Sequence, residues 1–226
     1  MHAVPNCLEN CNPEHNNTSW VEGAGLALKY VDLAYPVDLR NVSGLLRGHT
    51  CQPITVIESR LLAARNRTTV SKISIDSFFR DAVLLDMLHK KPSTLIDDED
   101  LEAAEESAGI ATREGDVVVL RTGWEAYSSK PERYRGGFPT LSKNAVDYLL
   151  FRRIAGVAVD CPNVDSDLRL ATHKMLFRAG VLVIENLRNL DEIDRSRFRM
   201  IALPLNSNYG REPARVVGIM DDSAAA

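Results

Sequence analysis

The chain has 226 residues, of which 45% are hydrophobic and 26% charged, and its net charge is −4. This composition predicts a soluble globular protein with one substantial core. Positive and negative residues are interspersed, so we expect no nucleic-acid partner. No stretch approaches the roughly 20 apolar residues of a membrane helix, so we expect no membrane span.

Residues 1–27 are polar and rich in turn-forming residues, and we expect a disordered arm there, followed by a single domain at 28–226. The arm has neither the basic start nor the apolar run of a secretory signal. Glycosylation sequons occur often by chance, but their clustering in the first third leaves a secreted form of a longer precursor open, so no compartment is assigned. The sequons begin at Asn16, Asn17, Asn41 and Asn66, and the cysteines, which lack zinc-ribbon spacing, are Cys7, Cys11, Cys51 and Cys161.

After the arm, short apolar runs of strand length alternate with helical patterns. Continuous apolar strands separated by helices indicate a sheet covered on both faces, and therefore an α/β domain. The predicted strands lie at 29–33, 82–85, 117–120, 157–159, 181–184, 200–203 and 216–220, and the predicted helices at 97–107, 142–151, 168–179 and, more weakly, 191–198.

A histidine and a glutamate stand twelve residues apart, on neighbouring core elements. Helical spacing puts Leu170 and Phe177 on the same face as His173, so the imidazole faces the core, and Glu185 directly follows the apolar run VLVI. A buried carboxylate needs a hydrogen-bonding partner, a proton or a metal. Imidazole nitrogen and carboxylate oxygen together suit zinc or manganese. The pair is therefore a candidate metal site, although a hydrogen-bonded core histidine is the alternative.

Acidic residues also end two other predicted strands. Asp86 follows AVLL and Asp160 follows VAV. Ligand sites of open α/β sheets gather at the carboxyl ends of strands, which favours a functional role for such acids. The alternative is that they cap the next element or face water.

Six segments stand out in order along the chain: DAVLLD (81–86), GDVVVLRTGWEAY (115–127), FPTLS (138–142), GVAVDCPNVD (156–165), HKMLFRAGVLVIENLRNLDEI (173–193) and FRMIALPL (198–205). Together they resemble the cyclase family of metal-dependent hydrolases, which includes bacterial-type kynurenine formamidase and isatin hydrolase. The resemblance covers most of the chain from about residue 30 to 220.

The resemblance implies a swivelling β/β/α-type mixed sheet or barrel flanked by helices, and hydrolysis of an amide or formamide by metal-activated water. It implies that His173 and Glu185 are metal ligands of a zinc or manganese ion. Trp124 and Phe138 match aromatic positions near the substrate pocket, with core packing as the alternative, and Arg121 and Asp160 match supporting positions. It further implies a small-molecule substrate and a homo-oligomer.

The chain departs from the family pattern upstream. Family members carry H-x-G-T-H-x-D-x-P-x-H, which supplies two histidine ligands, an aspartate ligand and a histidine for proton transfer. Between residues 35 and 70 this chain has only His49, in the context RGHTCQP. No catalytic residue can therefore be identified from the motif, and His49 with Cys51 as substitute ligands is a weak alternative.

The segment 39–69 also has an atypical composition, with five arginines against the single acid Glu58. Such a charge reversal suggests alternative splicing, a gene-model error or real divergence. Two hypotheses follow. The chain is either an active hydrolase of the arylformamidase or isatin hydrolase kind, acting in tryptophan catabolism, or a non-catalytic family member or defective isoform that acts as a binding or subunit partner.

Overall fold

The computed structural model describes residues 18–23, 26–36, 53–59, 69–165 and 169–221. Within these residues the chain forms eleven strands and four α-helices. The strands are β1 (Thr18–Gly23), β2 (Leu26–Asp32), β3 (Val56–Glu58), β4 (Phe79–Asp86), β5 (Leu95–Ile96), β6 (Val117–Arg121), β7 (Thr140–Leu141), β8 (Gly156–Val159), β9 (Leu182–Glu185), β10 (Arg197–Pro204) and β11 (Arg211–Asp221). The helices are α1 (Asp98–Ala108), α2 (Pro131–Tyr134), α3 (Lys143–Phe151) and α4 (Ala171–Arg178), and short 3-10 turns lie at Val70–Lys72, Ile75–Phe78, Trp124–Tyr127 and Leu190–Glu192.

Seven of the strands close into a mixed barrel in the order β11, β10, β4, β6, β8, β9, β3. The neighbours from β4 to β9 are parallel and the remaining pairs are antiparallel. The long strand β11 closes the ring because its first residues pair with β3 while a later part of it pairs with β10. Its last residues also pair with β2, which lies outside the ring. The predicted mixed α/β fold, a barrel flanked by helices, is confirmed.

Alternation along the strands divides the core into two layers. On β9, for example, Ile184 belongs to a cluster inside the barrel, whereas Val183 belongs to a cluster outside it. The outer cluster includes Leu101, Leu149 and Leu176 from the three longer helices, which cover that side. A side chain that shares the parity of Val183 therefore lies between the barrel wall and a helix.

Local capping explains where the helices begin and end. Asp97 and Asp100 form a reciprocal capping box at the start of α1, and Gly109 ends this helix in the left-handed conformation at φ 64°. The Ser142 side chain accepts a hydrogen bond from the Ala145 backbone N–H at 3.1 Å and caps α3. The three stronger helix predictions are confirmed to within three residues at each end.

The weaker helix predicted at 191–198 is wrong. The structure has only a short 3-10 turn there, and β10 already begins at Arg197. Phe198 pairs with Ala82 and is buried on the inner face, so strand pairing outweighs the weak helical pattern. No helix of the described residues is long and apolar enough to cross a bilayer.

The structure contains a β-hairpin within the N-terminal segment that was predicted to be a disordered arm. Thr18–Gly23, which falls within the predicted arm, forms β1 and pairs along its length with β2. Threonine, tryptophan and valine favour strands, which accounts for the element. Residues 1–17 lie outside the described part of the chain, as do the asparagines of all four sequons, three of the cysteines and His49.

Candidate metal centre

The first component of the site is His173, which lies in the first turn of α4 and is held by Asp165 from the preceding loop. Asp165 accepts backbone hydrogen bonds from Thr172 at 2.8 Å and His173 at 3.1 Å, so its carboxylate satisfies N–H groups of the first turn. The same carboxylate lies 2.7 Å from Nδ1 of His173. In a neutral imidazole whose Nδ1–H donates a hydrogen bond to Asp165, the lone pair of Nε2 is free for a ligand.

Two glutamates face that Nε2 atom from the barrel wall. Glu185 ends β9 and shares the outward parity of Val183, and Glu58 ends β3 on the same face. Oε1 of Glu185 lies 3.3 Å from Nε2 of His173, and Oε2 of Glu58 lies 3.8 Å from it. One donor atom from each of the three residues lies within 4.8 Å of the other two.

An arginine occupies the opposite side of the two glutamates. Arg211 is the direct cross-strand partner of Glu58. Its Nε contacts Oε1 of Glu58, and its Nη2 lies 3.3 Å from Oε2 of Glu185. Each carboxylate therefore turns one oxygen toward Arg211 and the other toward His173. The arginine side chain is 48% exposed, whereas that of Glu185 is 1% exposed.

The charges of the cluster strongly perturb its pKa values. Burial opposes a charged imidazole, but the hydrogen bond to Asp165 and the charges of Glu185 and Glu58 outweigh it and raise the pKa of His173 to about 10. Burial and the charge of Glu185 raise the pKa of Glu58 to about 7, against the opposing effect of Arg211. Burial acts against the charge of Asp165, yet the hydrogen bonds from His173 and Thr172 lower its pKa.

These residues fit a divalent ion. Oε1 of Glu185 is buried and accepts no hydrogen bond of good geometry, and Nε2 of His173 lies 3.3 Å from it, so a desolvated acceptor points into the site. Histidine nitrogen and carboxylate oxygens are donors for zinc or manganese. A carboxylate on the second imidazole nitrogen is the usual support of a metal-binding histidine. Three protein ligands also leave a coordination position for water, as in catalytic zinc sites.

The predicted aromatic residues lie in the outer core beside the site. Trp124 is buried, its Nε1 donates to the Tyr134 carbonyl at 2.9 Å, and its ring meets Phe138 edge-on at 6.3 Å. The hydroxyl of Tyr134 reaches Oδ1 of Asn186, the residue after Glu185, at 3.0 Å. Trp124 is thus linked to the site through hydrogen bonds, and its contact with a substrate remains a prediction, as does that of Phe138.

Asp160 and Arg121 were predicted to support the site. Asp160 is fully buried and accepts backbone hydrogen bonds from Thr122 and Trp124, both at 3.1 Å. Burial raises its pKa, although these donors counteract the effect. Asp160 therefore fixes the turn that carries Trp124. Arg121 lies 3.7 Å from Asp86 at the surface, and no contact described for this part of the chain joins it to the metal cluster.

Sequence reasoning missed Glu58, Asp165 and Arg211 as members of the site. Glu58 follows the apolar run ITVI, just as Glu185 follows VLVI, so the same strand-end pattern identifies it in retrospect. Asp165 stands in the quoted run GVAVDCPNVD, but its contact with His173 depends on a loop path that spacing does not reveal. Arg211 is recognisable only after the pairing of β11 with β3 is known.

Comparison with known proteins identifies the family. A family model described as a putative cyclase matches residues 49–166, which is just over half of the chain. The chain belongs to this cyclase family. The match begins within the segment 39–69, although the upstream histidine motif is absent from that segment.

Curated members of the cyclase family resemble part of the chain. Kynurenine formamidase from Bacillus cereus strain ATCC 14579 is 30% identical over 118 residues, covering 50% of this chain and 54% of that protein. Kynurenine formamidase from Bacillus thuringiensis strain Al Hakam is 32% identical over 103 residues, covering 44% and 47%. The chain thus matches about half the length of these relatives.

Solved structures share the cyclase fold over a larger part of the chain. Isatin hydrolase A from Labrenzia aggregata has a TM-score of 0.71 at 18% identity, covering 85% of this chain and 94% of that one. A structure described as a potential metal-dependent hydrolase with cyclase activity has a TM-score of 0.68 at 24% identity, covering 85% and 98%. At these identities the likeness concerns the fold.

Proposed function

We propose that this chain is a metal-dependent hydrolase of amide-type C–N bonds, such as the formamide of N-formylkynurenine or the ring amide of isatin. The observation that carries the proposal is the convergence of three donor atoms: Nε2 of His173, Oε1 of Glu185 and Oε2 of Glu58. The names of the curated relatives and of the structural neighbours support the substrate class.

The roles of the residues follow from the geometry. His173, Glu185 and Glu58 would hold the ion, and Asp165 keeps the imidazole in the orientation that presents Nε2. A divalent ion at this position supplies activated water at neutral pH and polarises the substrate carbonyl. Trp124 and Phe138 remain the proposed aromatic contacts of the substrate.

A second candidate is a family member that lacks turnover. Two observations favour it: the upstream histidine motif is absent, and the guanidinium of Arg211 already contacts both glutamates. Such a protein would keep the barrel and act as a binding or subunit partner, without hydrolysis.

Metal analysis and activity assays on the purified chain test the proposal. After dialysis against zinc or manganese, we expect about one equivalent of bound metal and turnover of N-formylkynurenine or isatin. His173→Ala should lose both properties. His89→Ala is the matched control, because its side chain is 57% exposed and contacts Asp100 away from the cluster.

The three outcomes separate the candidates. Metal binding with turnover supports the hydrolase. Stoichiometric metal without turnover of either substrate favours the non-catalytic member. Absence of metal binding in the wild-type chain overturns the metal-dependent proposal.

A further inference from the structure

Arg211 contacts both glutamates of the proposed metal site and contributes a positive charge to it. Its guanidinium binds Oε1 of Glu58 and Oε2 of Glu185, leaving the other oxygen of each carboxylate facing His173. The arginine thus contacts the oxygens other than the two that lie nearest Nε2 of His173. It can keep these contacts when an ion binds the oxygens that face His173.

The effect of Arg211 on metal binding depends on the charges of the surrounding side chains. Glu58, Glu185 and Asp165 place three carboxyl groups in a nearly closed site, since their side chains are 12%, 1% and 6% exposed. Arg211 supplies one fixed positive charge. A bound ion requires a neutral imidazole and ionised carboxylates, and three carboxylates with Arg211 then carry two net negative charges, which a dication would balance. Without metal and without the arginine, His173 would be the one described cation facing the two glutamates.

We propose that Arg211 is the internal counter-ion of the metal centre: it stabilises the two glutamates when no ion is bound and weakens the binding of a dication. The inference rests on the proposed metal site. A fixed positive charge close to an incoming dication repels it, and the repulsion is strong in a poorly solvated site. Arg211 thus lowers metal affinity while allowing the chain to keep its fold without metal.

Arg211→Gln, which removes the charge but keeps hydrogen-bond donors, tests the proposal. We expect it to bind Zn²⁺ roughly tenfold more tightly than the wild type, or better, in equilibrium dialysis with a competing chelator. Arg211→Lys keeps the charge and should bind like the wild type. Arg215→Gln is the matched control, because Arg215 lies on the same strand and pairs with Asp32 instead.

A second measurement does not depend on metal. In chelator-treated protein, Arg211→Gln should lower Tm by about 5 °C or more, and Arg215→Gln should change it little, because Arg211 contacts the nearly buried Glu58 and Glu185 whereas Arg215 pairs with the more exposed Asp32. Added Zn²⁺ should then raise the Tm of Arg211→Gln more than that of the wild type.

The Zn²⁺ affinities and the Tm values test the counter-ion role of Arg211 separately from the proposed function. Equal or weaker Zn²⁺ binding by Arg211→Gln overturns the counter-ion role, as does Arg211→Lys binding as tightly as Arg211→Gln. If no variant binds Zn²⁺, the proposed function fails, and the Tm values of the chelated proteins alone decide whether Arg211 is the counter-ion.

Discussion

The carboxylate of Asp165 lies 2.7 Å from Nδ1 of His173 and also accepts the backbone N–H of the same residue at 3.1 Å. One side chain thus fixes both the first turn of α4 and the orientation of the imidazole. Because the two glutamates approach the ring from its other nitrogen, the position of Asp165 determines whether Nε2 faces them.

Asp165→Asn should weaken Zn²⁺ binding by about tenfold to a hundredfold, because the imidazole loses a charged partner that fixes its tautomer. The amide oxygen can still accept one of the two backbone N–H groups, that of Thr172 or that of His173, so α4 should remain folded with some loss of stability. Equilibrium dialysis measures the affinity and circular dichroism the fold. Asp147→Asn, at an exposed position of α3, is the control and should bind as the wild type does. Unchanged affinity in Asp165→Asn would contradict the supporting role.

Glu58→Gln should weaken Zn²⁺ binding by roughly tenfold or more, because a neutral amide replaces one of three ligands. Isothermal titration of the chelated protein gives the dissociation constant. Glu114→Gln serves as the control, since Glu114 is 71% exposed and pairs with Arg153. If Glu58→Gln retained wild-type affinity, the site would use only His173 and Glu185 among the three.

Asp160→Asn should destabilise the fold by about 2–4 kcal/mol, because an amide N–H₂ group would face N–H and O–H donors in a fully buried position. The donors are the backbone N–H groups of Thr122 and Trp124 and the Thr122 hydroxyl at 2.5 Å. Urea unfolding measures the loss, and Asp147→Asn should change stability by less than about 0.5 kcal/mol. A loss as small as the control's would show that the turn does not depend on Asp160.

Glu125→Gln should change the pH dependence of stability. Burial, with the nearby charges of Asp160 and Asp191, raises the pKa of Glu125 to about 7, and its Oε2 atom has no hydrogen-bond partner. Below the unfolded pKa near 4.5 the carboxyl is neutral in both states. As pH rises from 4.5 toward 7 the unfolded carboxyl ionises while the folded one stays protonated, because burial disfavours its charge, so the wild type loses stability over this range and the loss is complete above about 7.

The glutamine variant avoids that charge. We expect it to gain about 1–2 kcal/mol over the wild type at pH 8.5, after allowance for partial solvent exposure, and nothing at pH 4.5. Urea unfolding at both pH values measures the difference. The exposed Glu106→Gln should show no such pH-dependent gain, and an equal gain in both variants would contradict the role of burial.

Much of the fold was predictable because buried strands and helices each produce a characteristic pattern of apolar residues in the sequence. The continuous apolar runs match β4, β6, β8 and β9, which are the parallel strands of the barrel. The pair His173 and Glu185 was predictable for the same reason, since helical spacing places His173 on a core-facing side and Glu185 directly follows an apolar strand. Their convergence in the structure agrees with that pattern.

The rest of the site depends on pairings that no local pattern contains. Glu58 joins it because β3 lies between β9 and β11, and Arg211 joins it through its register opposite Glu58. Strand order around a closed barrel is a property of the whole chain. The helix prediction at 191–198 was wrong for a similar reason, because Phe198 pairs with Ala82 in a strand that the local sequence does not reveal.

Closure of the barrel has a kinetic consequence. Ser59 and Gly210, which meet where β3 joins β11, are 151 positions apart. Bringing such distant segments together costs more loop entropy than forming the nearby parallel pairs, so this contact should form late in folding. Glu58 and Arg211 lie at that junction, and a folding chain would therefore form its helices and most of its strands before the proposed ion-binding site is assembled.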